Sequence, residues 1–102
     1  MKNLTLIAHA DIEQALADVL RSLSKVSGFT FTHIEGHGPQ DDRDPVLSAR
    51  DRVVGYTPHV RADIVLEDED VDAVLDALRE SSCGVAGRGV YWVADVVRQG
   101  RL

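Results

Sequence analysis

The chain has 102 residues, 44% of them hydrophobic, which suffices for one domain with a thin core and not for two. Its net charge of −6 argues against a nucleic acid or an anionic membrane as the main partner, because both need a basic footprint. One cysteine, Cys83, excludes an internal disulfide framework and fits a reducing compartment.

No run approaches the roughly 18 apolar residues of a membrane span. The opening MKNLTLIAHADIEQ alternates like a strand and does not read as a signal peptide. The expectation is therefore a cytoplasmic protein with no direct membrane insertion. Aromatic content is only 5%, so the core rests on Val, Leu, Ile and Ala. A small aliphatic core gains from oligomerisation.

In chain order, NLTLIAH predicts a first strand. DIEQALADVLRSL follows, with Ile12, Leu16, Val19, Leu20 and Leu23 at helical spacing. Asp11 and Gln14 lie close to a capping-box pattern, and Gly28 stops the helix signal. FTFTHIE is rich in aromatic and β-branched residues and predicts a second strand. From Gly36 to Thr57 no period is sustained, and Pro39, Pro45 and Pro58 punctuate the segment. That is far longer than the usual 2–6 residue connection, and such loops are usually functional or disordered. HVRADIVLE predicts a third strand, and DEDVDAVLDALRES a second helix with Val71, Val74, Leu75 and Leu78 on one face. CGVAGRG is a glycine-rich turn, and VYWVADVV a fourth strand.

The order β-α-β-β-α-β predicts an α+β, ferredoxin-like fold, βαββαβ: a four-stranded antiparallel sheet with both helices on one face. Phe29, Phe31, Tyr91 and Trp92 cannot all point at two helices, so the other face is expected to bury against another subunit.

Four stretches carry candidate chemistry. In HIEGH, alternation puts His33, Glu35 and His37 on one strand face. Neighbours two apart are about 6.7 Å apart, and His33 and His37 about 13 Å. Gly36 would have to bend the chain for both to share an ion. His59, beyond the loop, is a further candidate ligand. Imidazole with carboxylate suits zinc, copper, nickel or cobalt; the alternative is a polar strand face satisfied by hydrogen bonds. In EDEDVD, the spacing of Asp68, Asp70 and Asp72 starts like a calcium loop, but Ala73 stands where glycine is required and Arg79 where the bidentate acid belongs. Acids in a helix's first turn explain the run better. In CGVAGRG, glycines 84, 87 and 89 permit positive φ, and backbone amides with Arg88 would suit an anion. A helix end turning into a strand is an equal reading. Cys83 has no adjacent base and reads as packing, and no nucleophile-base-acid motif occurs elsewhere. The residues favour a binding or regulatory module over an enzyme.

SGFTFTHIEGHGPQ resembles the second strand of PII signal-transduction proteins, where a Gly-x-Thr-x-Thr segment runs into Gly-x-Gly and a glutamine. VGYTPHVRADIVLEDEDVDAVLDAL resembles the stretch that closes the long T-loop of that superfamily, and GRGVYWVADV its B-loop and last strand. SGFT, GHG, LSARDRV, YWV and GRL are similar to a divergent group of small PII-like proteins found beside heavy-metal efflux pump genes.

The resemblance spans residues 1–102 as a single domain, with the T-loop at about 39–57 and the B-loop at about 83–89. It implies a homotrimer that binds an effector in clefts between subunits. The T-loop would then act on a membrane transporter or a regulatory protein. By position, Gly36, Gly38 and Gln40 match the T-loop base, Ile7 and Val65 the adenine pocket, Gly87, Arg88 and Gly89 the B-loop, and Arg101 a phosphate-binding arginine.

Departures bear on the ligand. Pro39 replaces an arginine, Val90 replaces the B-loop lysine, and the sequence reaches Leu102 without a second arginine. Each lost cation removes a charge-assisted contact to phosphate. The resemblance therefore implies weak or absent ATP binding, with AMP, ADP or no nucleotide left open. No tyrosine lies between Gly38 and Gly55, so uridylylation there is not expected.

Overall fold

Strand β1, Lys2–His9, puts alternate side chains on opposite faces, with Thr5 buried as well as Leu4 and Leu6. Leu4, Leu6 and Ala8 point to one side and are buried, while Asn3, Thr5, Ile7 and His9 point to the other. The computed structural model of the chain describes residues 1–37 and 56–102. Within them, a 3-10 turn at Ala10–Ile12 leads into helix α1, Glu13–Ser22. Strand β2 is Thr30–Gly36, β3 is Thr57–Leu66, and a second 3-10 turn at Asp68–Asp70 opens helix α2, Val71–Glu80. Strand β4 is Val90–Asp95. Gly38, Gln40, Pro39 and most of the expected T-loop fall outside the described residues.

The sheet order is β2-β3-β1-β4, antiparallel throughout the pairs formed, as the ferredoxin-like reading requires. The two central strands bury one face almost completely. Val60, Ala62, Ile64 and Leu66 of β3 join Leu4, Leu6 and Ala8 of β1 in one cluster. Leu16 and Leu20 of α1 and Val71, Val74, Leu75 and Leu78 of α2 complete it. Each fully buried aliphatic side chain in such a core contributes roughly 1.5–3 kcal/mol relative to exposure. Both amphipathic stripes read from sequence thus face the sheet.

Helix entry differs from the expected capping box. The His9 ring accepts the Asp11 N–H at 3.0 Å, and Gln14 instead donates to Asp18. His9 caps because its extended backbone places the imidazole over the first turn.

The aromatic residues also divide differently from expectation. Phe29 and Phe31 stack on each other, 5.1 Å between ring centroids, and pack on the core. Tyr91 lies on the helix side, because it pairs with Leu6. Only Trp92, paired with Thr5, is on the open face. That face is therefore mixed rather than aromatic.

Candidate ligand site

The glycine-rich turn joins the end of α2 to β4 and sits against β1. Gly84 and Gly87 have φ of 101° and 75°, conformations that favour glycine. The carbonyl of Val85 accepts the N–H groups of Arg88 (3.2 Å) and Gly89 (2.9 Å). Two of the three amides expected to cradle an anion are therefore engaged within the turn. A bound anion has to displace them or rely on the exposed Arg88 guanidinium. Gly89 has no room for a side chain: a Cβ there would lie 2.5 Å from Val85 Cγ2 and 3.4 Å from the Ile7 carbonyl oxygen. The turn is thus held against β1 at Ile7, bringing together two elements expected to share a site.

A cleft of about 240 Å³ opens beside the turn on the helix side, walled by Leu6, Leu75, Leu78, Val85 and Tyr91 with Gly87 and Gly89 at its edge. Arg79 stands among its walls, 5.8 Å from the Tyr91 ring centroid. The cleft is mostly apolar, and its Arg79 also pairs with Asp76 at 3.4 Å, so an anionic ligand would have to compete for that cation.

The two expected adenine-pocket residues lie on the other side of the sheet and apart. Ile7 pairs with Arg61 and Val90, whereas Val65 pairs with Asn3. They are about 13 Å apart along the strands, with the Thr5–Asp63 pair between them. One chain does not bring them into one pocket. Arg101 is exposed in the tail beyond β4. Gly36, the described part of the expected loop base, is packed against His59.

The histidines separate. His33 and Glu35 share the helix-side face, opposite Val60 and Pro58. His33 Nε2 lies 2.5 Å from Glu13 Oε1 of α1, rather than beside Glu35. His37 lies beyond the end of β2 and turns back to Glu35, 3.2 Å away. His59 pairs with Ile34 and with His9, so it belongs to the opposite face from His33 and Glu35. Its ring stands 6.4 Å from that of His9. The expectation that His59 could join them fails on this register. Among the described residues, no three His, Cys, Asp or Glu side chains stand together as a metal-binding group.

Cys83 is buried, and Ser81 Oγ lies 3.1 Å from its sulfur. On the open face the structure adds a group that the sequence reading missed. Asp63 accepts from Arg61, Thr5 and Asn3. The Arg61 hydrogen bond is the main cause holding the Asp63 carboxyl below its ordinary pKa; burial opposes it, and the Thr5 and Asn3 bonds assist. Polar residues at alternate positions of otherwise apolar central strands, Asn3 and Thr5 then Arg61 and Asp63, were the available signal.

A family model described as a protein of unknown function, DUF3240, matches residues 1–102. The chain belongs to the DUF3240 family. A crystal structure of a DUF3240 family protein from Shewanella baltica OS155 superposes with a TM-score of 0.76 at 25% identity, covering 99% of this chain and 94% of that one. The DUF3240 chain is also similar to nitrogen regulatory protein P-II of Pasteurella multocida, 36% identical over 90 residues, 85% of this chain and 80% of the relative. Nitrogen regulatory protein P-II 1 of Escherichia coli K12 is 31% identical over 93 residues, 90% and 79% of the two chains. This DUF3240 member is thus a divergent P-II-like protein, in keeping with the resemblance carried by its loop-base, B-loop and last-strand motifs. No helix among the described residues is long and apolar enough to cross a membrane.

Proposed function

We propose that the chain is a homotrimeric P-II-like regulatory protein. It binds a small effector, an adenine nucleotide or a ligand of similar chemistry, in clefts between subunits. It acts on a partner, a membrane transporter or a regulatory protein, through the segment at residues 39–57, and carries out no reaction. The observation that carries this reading is the packing of the glycine turn on β1, with Gly89 against the Ile7 carbonyl. It sets Arg88 beside a strand whose neighbouring positions bear Ile7 and Val90. The relatives named nitrogen regulatory proteins support the regulatory class.

The separation of Ile7 from Val65 supports a site shared between chains, each cleft drawing on two of them. The engaged amides of Arg88 and Gly89 favour a ligand with fewer phosphates over a triphosphate, because fewer donors face it. Effector binding shifts the balance between two presentations of the 39–57 segment by its different affinity for each.

The test is nucleotide binding by the purified protein and by Arg88→Ala and Arg101→Ala variants. The reading expects saturable AMP or ADP binding, weakened about tenfold or more in each variant, as expected when a charge-assisted hydrogen bond is lost. Equal binding by both variants and the parent would remove the turn from the site.

A further inference from the structure

The cleft between α2 and β4 opens on the helix side of the sheet, whereas Ile7 and Val65 lie on the open face. It shares only the edge of the glycine turn with the proposed effector site. One chain builds it. Tyr91 stands opposite Leu6 of β1, which sets its ring on the helix side beside Leu75 and Leu78 of α2. The helices do not cover it there: Tyr91 stays 47% exposed although it lies on their side of the sheet.

The wall at Val85 is in place before any ligand arrives. Its carbonyl accepts the N–H groups of Arg88 and Gly89, and its Cγ2 fills the space that a side chain on Gly89 would need. A wall already ordered costs a ligand little conformational entropy.

The lining selects the chemistry. Leu6, Leu75, Leu78, Val85 and the Tyr91 ring make it apolar, and Arg79 is the one charged residue among the described residues that line it. Its guanidinium lies 5.8 Å from the centre of the Tyr91 ring, a contact that keeps the cation at the cleft. The competing carboxylate, Asp76, is a weak rival. The two form an exposed i,i+3 pair, Nη1 to Oδ1 at 3.4 Å, with side chains 55% and 67% exposed. That contact engages one donor of a guanidinium that has several more to offer. A ligand carboxylate can take two of them in parallel, the strong geometry for this pairing.

We propose that this cleft is a second binding site, for a small monocarboxylic acid with an aliphatic or aromatic body. The body lies among Leu75, Leu78, Val85 and Tyr91, and the carboxylate meets Arg79. The volume of about 240 Å³ suits a small acid, being below the roughly 300–1,000 Å³ of sites for drug-sized ligands. A nucleotide is excluded by polarity as well as size, because the walls present no polar side chain beyond Arg79 and the Tyr91 hydroxyl. A cationic ligand is excluded by Arg79. The site is independent of the effector reading, and either can fail alone.

The experiment is a titration of the methyl-labelled full chain, parent and Arg79→Gln, with hexanoate and with its neutral match hexanamide, followed by carbon–proton correlation NMR. Arg79 is exposed in the last turn of α2, so its replacement leaves the core in place, and an unchanged methyl spectrum of the ligand-free variant checks this. The expected result is saturable movement of the Leu6, Leu75, Leu78 and Val85 methyl signals with hexanoate. Affinity should fall roughly tenfold or more for hexanamide, and equally for hexanoate with Arg79→Gln, as when a charge-assisted hydrogen bond is lost. Methyl signals that do not saturate, or that respond alike to the acid and the amide or alike in parent and variant, would overturn the inference. AMP binding and its dependence on Arg88 test the effector reading separately.

Discussion

Gly36 has no room for a side chain. A Cβ there would fall 2.1 Å from Nδ1 and 2.2 Å from Cε1 of His59, and 3.2 Å from the Thr57 carbonyl oxygen. Gly36→Ala must therefore turn the His59 ring and disturb its edge contact with His9. The expected loss is of order 1–3 kcal/mol by the cost of overpacking, read as a lower denaturant midpoint. Asp63 supplies a prediction in pH. Its folded-state pKa lies below its unfolded value, chiefly because Arg61 donates to it. Its stabilisation is thus fully present above the unfolded value of about 3.9 and is lost as pH falls through the lower folded value. Asp63→Asn should be less stable than the parent at neutral pH, and the gap should close in the acid limb. Urea unfolding at a series of pH values checks this; a gap independent of pH would contradict it. At this scale the sequence was only partly legible. The crowding at Gly36 and the cap from His9 depend on partners distant in sequence or on a backbone angle, and no local pattern announces either.

Among the elements, α2 was the most legible. Val71, Val74, Leu75 and Leu78 were all expected to face the core, and all are buried. Helical period suffices there because one apolar stripe meets one flat sheet. Leu20→Ala in α1 should cost about 2–5 kcal/mol, since the residue is fully buried in the core cluster. Val97→Ala, in the exposed tail, should stay within about 0.5 kcal/mol. Thermal or chemical denaturation of the pair separates core from surface directly. Strand faces were harder to read. β3 begins at Thr57, and its pairing with β2 sets His59 opposite Ile34. Period two says which residues share a face within one strand but not which face of the neighbour they meet. His59 was therefore grouped with His33 and Glu35 from sequence, and the register separates them. The glycine turn was legible as a turn with positive φ. The use of the Arg88 and Gly89 amides by Val85 was not, because it depends on how tightly the turn closes.

For the whole molecule, strand and helix order gave the ferredoxin-like topology, and the motifs placed the chain near P-II proteins, as the matched family and relatives bear out. The expected effector residues were less legible, because one chain does not bring them together. Ile7 and Val65 share a face yet lie on either side of the Thr5–Asp63 pair. The helix-side cleft and the open face are separated by the thickness of the sheet. On the proposed reading a second copy supplies the missing wall. It follows that conditions dissociating the assembly should abolish effector binding without unfolding the chain. Ala94→Glu, placed on the open face away from the glycine turn, should lose binding and mass together while keeping its circular dichroism.

Calorimetric titration of chelator-stripped protein tests the central claim most directly. AMP, ADP and ATP are added in turn, then zinc, copper, nickel and cobalt, at about pH 7.5 and about pH 5.5, on either side of the ordinary histidine range. The account predicts saturable adenine-nucleotide binding that survives the change of pH and weakens in Arg88→Ala. No heat with any nucleotide, together with metal binding that fades at the lower pH and in His33→Ala or His37→Ala, would contradict it and make the chain a metal-binding protein instead.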